Sequence, residues 1–251
     1  MPNERLRSAL TSAGMSPRDL ADRVEVDVKT VERWITSDRA PHRRTRAAVA
    51  AVLYLDETYL WPAAIPAQQV ETATQQEFVA FHPNRNAIPA QRWLDLAANA
   101  KEHIDLWAFA ASFLHDSLDD FFGIVADRAA HGVKVRLLFG DPESDAVRIR
   151  GIEEGLGDGF RGRCSNSWSY LAPFLSHPGI ESRQHSSTLY NSHYRFDSIL
   201  LINAHTLGIA AAKSPILEFQ RIPGGRLFEQ YCSSFESCWK ATLVARYQQS
   251  D

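Results

Sequence analysis

Residues 191–203 read NSHYRFDSILLIN, with His193, Arg195 and Asp197 at alternate positions ahead of an apolar tract. Alternate side chains of an extended strand share a face, so the three are expected to form one polar row. Imidazole, guanidinium and carboxylate in a row can hold an anion or a polar metabolite. To transfer a phosphoryl group they would also need an activated nucleophile and an acid for the leaving group. Arg195 suits holding better than cutting, because a guanidinium clamps an anion bidentately but stays protonated. With Asp141 and His205 added from neighbouring strand ends, the expected ligand-binding set is His193, Arg195, Asp197, Asp141 and His205. The competing reading leaves His193 solvated and pairs Arg195 with Asp197 across a strand edge, an arrangement worth little energetically.

The elements that must position this row follow from periodicity. QRWLDLAANA reads as a helix and HIDLWAFAA as a buried strand. SLDDFFGIVADRAAHG is an amphipathic helix with Ser117 as cap and Gly132 as stop; VKVRLLFGD is the next strand and ESDAVRIRGIEEG the next helix. Strand, helix and strand in succession predict an α/β sheet with parallel neighbours. A helix near 160–176 follows, then strands in IESRQHSS, LYNSHYRFDSILLIN and SPILEFQRI, and a closing helix in RLFEQYCSSFESCWKATLVARY. Ligands tend to sit at the carboxyl ends of parallel strands, where Asp141 and the segment from Ser112 to His115 fall.

Other chemistry is poorly supported. His82, His103, His115, His131, His177 and His185 lack metal-ligand spacing, and most of them read as surface or capping residues. GIEEGLGDGF has no following Lys-Ser/Thr and reads as a loop rather than a nucleotide cradle. Trp107, Trp168, Phe174, Tyr231 and Trp239 read as core. Cys164 is expected in an exposed polar loop. Three cysteines without a CxxC pair argue against a disulfide scaffold or structural zinc and for a reducing compartment. No cofactor or metal is implied. No basic leader and no stretch of roughly 18 apolar residues occurs, so a cytoplasmic, nucleoid-associated protein without a membrane partner is expected.

At 251 residues the chain can hold two domains, and its charge is unevenly shared. Residues 1–46 carry ten basic against seven acidic side chains, while the whole chain has a net charge of −3, so the remainder is acidic by six. A candidate anion-binding head thus precedes an acidic body. WPAAIPAQQVETATQQ between them reads as an irregular connection, placed at 62–76.

In the head, NERLRSALTSAG gives a first helix with Leu6 and Leu10 buried and Gly14 as stop. Ser16 caps a second helix with Pro17 in its first turn and Leu20, Ala21 and Val24 inside. Asp27 caps a third, VKTVERWI, with Val28, Val31, Trp34 and Ile35 on one face. Two short helices across a tight connection make a helix-turn-helix. MSPRDLADRVEVDVKTVERWITSDRAP resembles the DNA-binding domain of Cro and lambda-repressor type (XRE-like) transcription regulators, through Leu20-Ala21, Val26, Val31, Trp34 and Arg39-Ala40-Pro41. The resemblance covers about residues 3–60. It implies that the third helix enters the major groove of a double-stranded DNA operator, with Lys29, Thr30 and Arg33 at base edges and Arg18, Arg39, Arg43 and Arg44 at phosphates.

The body, over roughly residues 78–243, resembles one half of the phospholipase D superfamily, through HGVKVRLLFGD, the strand with the polar row before LLINAHTLG, and the aromatic-rich final helix. Active members carry His-x-Lys followed four residues later by Asp, with two copies meeting in one site. Here Arg195 stands where the lysine would be, and Leu200 where the acid would be. Aligned on Asn203 instead, Phe196 takes the nucleophile's place. The expectation is therefore an all-α helix-turn-helix domain at 1–61 and an α/β phospholipase D-like, non-catalytic domain at 77–251. The protein would be a DNA-binding transcriptional regulator, a homodimer, whose body senses a small polar or phosphorylated ligand. The alternative is a phosphodiesterase or nuclease targeted to DNA.

Overall fold

The N-terminal helices are set by their caps. The computed structural model describes residues 2–37, 39–64 and 67–242. In α1 (Glu4–Ser12) the Asn3 side chain accepts from the Leu6 amide, and the chain turns at Gly14 with a φ of 62°, the left-handed conformation a glycine takes without strain. In α2 (Pro17–Arg23) Ser16 and Asp19 form a reciprocal capping box, which satisfies two amides that a helix start otherwise leaves without partners. Glu25, at φ 54°, reverses the chain into α3 (Val28–Ser37), where the Asp27 carboxylate accepts from the Lys29 amide at 2.8 Å. α4 (Arg43–Leu53) and the short α5 (Glu57–Leu60) complete a cluster around Leu6, Leu10, Leu20, Val31, Trp34, Val49, Leu60 and Trp61. Trp34 and Trp61 meet edge to face at 6.2 Å.

Residues 62–76, expected as an irregular connection, are mostly regular. A 3₁₀ turn covers Pro62–Ala64 and α6 covers Ala67–Glu77. Pro62 opens the 3₁₀ turn ahead of the helix, where its missing N–H does no damage, and AQQVETATQQE is rich in residues that tolerate a helix well. The chain divides into two compact units: residues up to Glu77 with Ile222–Glu229, and Phe78–Arg221 with residues from Gln230 on.

The second unit is built on a seven-stranded sheet in the order β1-β7-β6-β5-β2-β3-β4. Its strands are β1 (Phe78–His82), β2 (His103–Ala108), β3 (Lys134–Gly140), β4 (Ile180–His185), β5 (Asn191–Phe196), β6 (Ile199–Ala204) and β7 (Ile216–Gln220). Only β2, β3 and β4 run parallel; every other neighbour is antiparallel. The two parallel steps are crossed by helices: α8 (Phe113–Asp116) and α9 (Phe121–Ala130) between β2 and β3, α10 (Asp145–Glu153) and α11 (Asp158–Leu171) between β3 and β4. α7 (Ala90–Ala98) precedes β2, and α12 (Leu227–Ala241) follows β7.

Apolar clusters lie on both faces of the sheet. Ile104, Leu106, Val135, Leu137, Tyr194 and Phe196 pack with α7 and α9. Trp107 and Leu138 point the other way, to Val147, Cys164, Phe235 and Trp239. Strands covered on both faces read as continuous apolar runs, which is why β2 and β3 are visible in the sequence. β1 is not, because it is an edge strand with Phe78, Val79 and Phe81 exposed.

Several local expectations need correction. α9 begins after Asp120, at φ 52°, rather than at Ser117, because α8 occupies the preceding segment. Cys164 is in α11 and fully buried, and burial pushes its thiol up to about 12. GIEEGLGDGF is a loop only at residues 154–157, its flanks ending α10 and beginning α11. His185 lies inside, bonded through Nε2 to the Ala108 carbonyl at 3.1 Å. The expected closing helix runs to Ala241, and residues from 243 lie outside the described part.

Candidate functional site

β5 is a central strand, between β2 and β6, so the polar row does not lie on a sheet edge. His193 stands opposite Trp107 of β2, and Arg195 opposite Asp105. The His193 ring is 1% exposed, stacks on Phe235 of α12 at 5.4 Å, and has no hydrogen-bond partner at either nitrogen among the described residues. Burial moves its pKa down to about 3, with Arg195 and Arg136 adding to the shift and Asp105 opposing it. The neutral ring therefore serves as an apolar plate in this core. Arg195 reaches Asp105 at 3.2 Å and bonds the Asp197 carbonyl through Nε at 2.9 Å. Asp105 is 1% exposed and also takes Arg136 at 2.6 Å, which continues to Glu236 at 2.6 Å. Burial disfavours the Arg136 charge, but the two carboxylates more than offset it and raise its pKa.

Asp197 departs from the row altogether. It sits in the β5–β6 turn at φ 51°, and its carboxylate accepts from the amides of Lys101, Glu102 and His103, each at 2.8 Å. That ties the turn to the start of β2. Asp197→Ala should lower stability by about 1.5–3 kcal/mol, the worth of hydrogen bonds to a charged acceptor. Asp197→Asn, which keeps an acceptor and tolerates the left-handed region, should lose clearly less. Urea denaturation of the two variants checks this, and equal losses would contradict the capping role.

The remaining expected ligand residues stand at the other end of β5, roughly 20 Å from Asp197 by strand length. Asp141 accepts from the Glu143 amide at 3.0 Å, and its carbonyl accepts from the Ser144 hydroxyl, shaping the turn into α10. His205 lines a cleft of about 90 Å³, together with Arg85, Phe109, Glu154, Arg163, Ser192 and Tyr194 among others. Its Nδ1 faces the Leu189 carbonyl at 3.2 Å and its Nε2 the Ser192 hydroxyl at 3.0 Å. Burial, helped by Arg150, lowers its pKa to about 4. Ala111, at φ 51°, also lines this cleft, and such backbone strain in a non-glycine residue tends to collect at functional sites.

The structure thus separates the five residues. His193 and Arg195 face α12, Asp197 caps a turn, Asp141 shapes a loop, and His205 alone lines the cleft. The cleft is lined by Ser192 and Tyr194, which alternate with His193 and Arg195 and point to the other face. Arg85 and Arg163, from separate segments, carry no local sequence signal.

In the first unit, α3 buries Val31, Trp34 and Ile35 and turns Lys29 and Arg33 outward, with Thr30 half-buried. Arg18 on α2, Arg39, and Arg43 and Arg44 on α4 are exposed as well. None of these six cations forms an ion pair among the described residues, whereas Arg46 is held by Glu57 at 3.2 Å and by the Pro41 carbonyl. Among the described residues no cluster of His, Cys, Asp and Glu could hold a metal ion, and no helix is long and apolar enough to cross a membrane.

The sequence matches no protein-family model and no curated protein. Among the solved structures it is similar to are two with low identity. One is TrmBL2, an archaeal chromatin protein whose structure shows a novel mode of DNA binding: 13% identity, TM-score 0.44, covering 71% of this chain and 60% of that one. This chain therefore spans about three fifths of that protein's length. The other is Nuc, a phospholipase D family member from Salmonella typhimurium: 15% identity, TM-score 0.38, covering 66% of this chain and 95% of that one.

Proposed function

We propose that this protein is a DNA-binding transcriptional regulator. In this reading the first unit is a helix-turn-helix head of Cro and lambda-repressor type, and the phospholipase D-like body dimerises and senses a small polar ligand. One observation carries the DNA-binding part: Arg18, Lys29, Arg33, Arg39, Arg43 and Arg44 are exposed without an intramolecular counter-charge among the described residues. Phosphates are natural partners for such a set of exposed cations. Lys29 and Arg33, with the half-buried Thr30 beside them, lie in the first two turns of α3, where base edges would be read. A two-fold dimer would present two such helices to half-sites about one helical turn apart.

The body is taken as non-catalytic. His193 is enclosed against Phe235 with a depressed pKa, and an arginine committed to Asp105 stands where a catalytic lysine would be.

Fluorescence anisotropy on mixed-sequence duplexes tests the reading. Binding should weaken steeply from 50 to 200 mM salt, with a log–log slope of about −0.9 per phosphate contacted. Arg43→Ala with Arg44→Ala should reduce that slope by roughly two contacts. Arg33→Ala should cost about 1–3 kcal/mol on a selected site. A protein that ignores every duplex at 50 mM salt is not a DNA-binding regulator.

A further inference from the structure

The cleft at the carboxyl end of β2 holds two guanidinium groups that form no ion pair among the described residues. Arg85 lies over the Phe113 ring at 4.1 Å, and neither it nor Arg163 forms an ion pair among the described residues. The lining acid, Glu154, is already held by Arg150 at 2.7 Å. Burial pulls the Arg85 pKa down against the opposing pull of Tyr194 and Glu154, as expected of a cation short of counter-charge. Counted with the ion pair behind it, the cleft sets Arg85, Arg163 and Arg150 against Glu153 and Glu154, a single positive charge that one monoanion neutralises and a dianion would overshoot.

The walls decide the rest of the ligand. Phe109, Phe160 and the alanines at 110 and 210–212 give the lining its apolar surface, while Tyr194 and the His205–Ser192 pair give it polar atoms. At about 90 Å³ the space is far below the roughly 300–1,000 Å³ of sites for drug-sized molecules. We infer that this cleft binds a short-chain monocarboxylate, its carboxylate clamped between Arg85 and Arg163 and its alkyl end against Phe109 and Phe160. A planar carboxylate matches the guanidinium fork in two parallel hydrogen bonds. The site gives chemistry and place to the sensing part of the proposed function, and it is independent of DNA binding.

The test uses the full-length protein without DNA, titrated with propionate against chloride at matched ionic strength. Thermal unfolding should shift upward and saturate, as binding to the native state alone requires, and calorimetry should give one site per chain. Arg85→Gln and Arg163→Gln should each weaken binding at least tenfold, while Arg148→Gln, on the exposed side of α10, should leave it unchanged. Should Arg85→Gln fold poorly, Arg163→Gln, on an exposed side chain, decides alone. Absence of a saturable shift, an equal response in Arg163→Gln, or tighter binding of inorganic phosphate than of propionate would each overturn the assignment. Because duplex binding is measured separately, loss of this site and loss of the regulator reading are distinguishable outcomes.

Discussion

Asp105→Ala is expected to destabilise the second unit by about 3–5 kcal/mol, the usual cost of removing one partner from a buried ion pair. The reason lies in what remains. Asp105 is 1% exposed and receives both Arg136 and Arg195, whose side chains are only 17% and 15% exposed. Arg136 would keep Glu236 and its place over the Phe235 and Trp239 rings, 4.6 and 5.4 Å away. Arg195 would lose the carboxylate opposite it and keep its bond to the Asp197 carbonyl. In a domain of this size the loss corresponds to a fall in melting temperature on the order of 10 °C. A cycle with Arg195→Ala separates coupling from general damage, since residues in contact should show a coupling energy of 0.5 kcal/mol or more. If the two substitutions simply add, the pair does not matter and the opening row of polar residues has no electrostatic role in the core.

That row shows what could be read from the chain and what could not. The alternation of His193 and Arg195 correctly implied a shared face, because side-chain period is a property of the strand itself. Which face receives a helix is not local information: Phe235 and Glu236 arrive from α12, some forty residues on. Asp105, the partner that fixes Arg195, is 90 positions away and lies in a tract that reads as plain buried strand. Asp197 left the row because the chain reverses there in a left-handed conformation, and nothing in a two-residue period announces a turn.

Elsewhere legibility follows the strength of the local signal. α2 and α3 could be placed because Ser16, Pro17 and Asp27 are start signals and Val31, Trp34 and Ile35 repeat with helical period. α6 escaped because AQQVETATQQE has the composition of a helix without an apolar stripe. The cleft escaped for a topological reason: Arg85, Glu154, Arg163 and Tyr194 come from four segments that only the folded sheet brings together.

Acid should destabilise the protein well before its carboxylates titrate. His193 and His185 are each 1% exposed, and burial first of all lowers their pKa values, from 6.5 to about 3 and about 4. His205, lining the cleft, is lowered to about 4 by the same cause. A folded pKa below the unfolded one means that the native state binds fewer protons. The stability these neutral rings contribute is then fully present above pH 6.5 and drains away as pH falls toward 4. Each such group contributes a slope of up to about 1.4 kcal/mol per pH unit. From the two most buried rings the loss by pH 4.5 is on the order of 5 kcal/mol, comparable to the whole stability of many domains. Denaturant titrations at pH 7.5, 6.5, 5.5 and 5.0 should therefore show stability falling steeply between 6.5 and 5.0. His193→Leu tests the assignment without opening a large cavity, since this ring makes no hydrogen bond among the described residues and packs as a flat apolar group on Phe235. The variant should lose about one histidine's share of the slope and be relatively more stable at pH 5 than the parent. A slope unchanged by the substitution would mean that His193 is protonated inside, or that the ring is reached by water, and either outcome defeats this account of the sheet's α12-facing side.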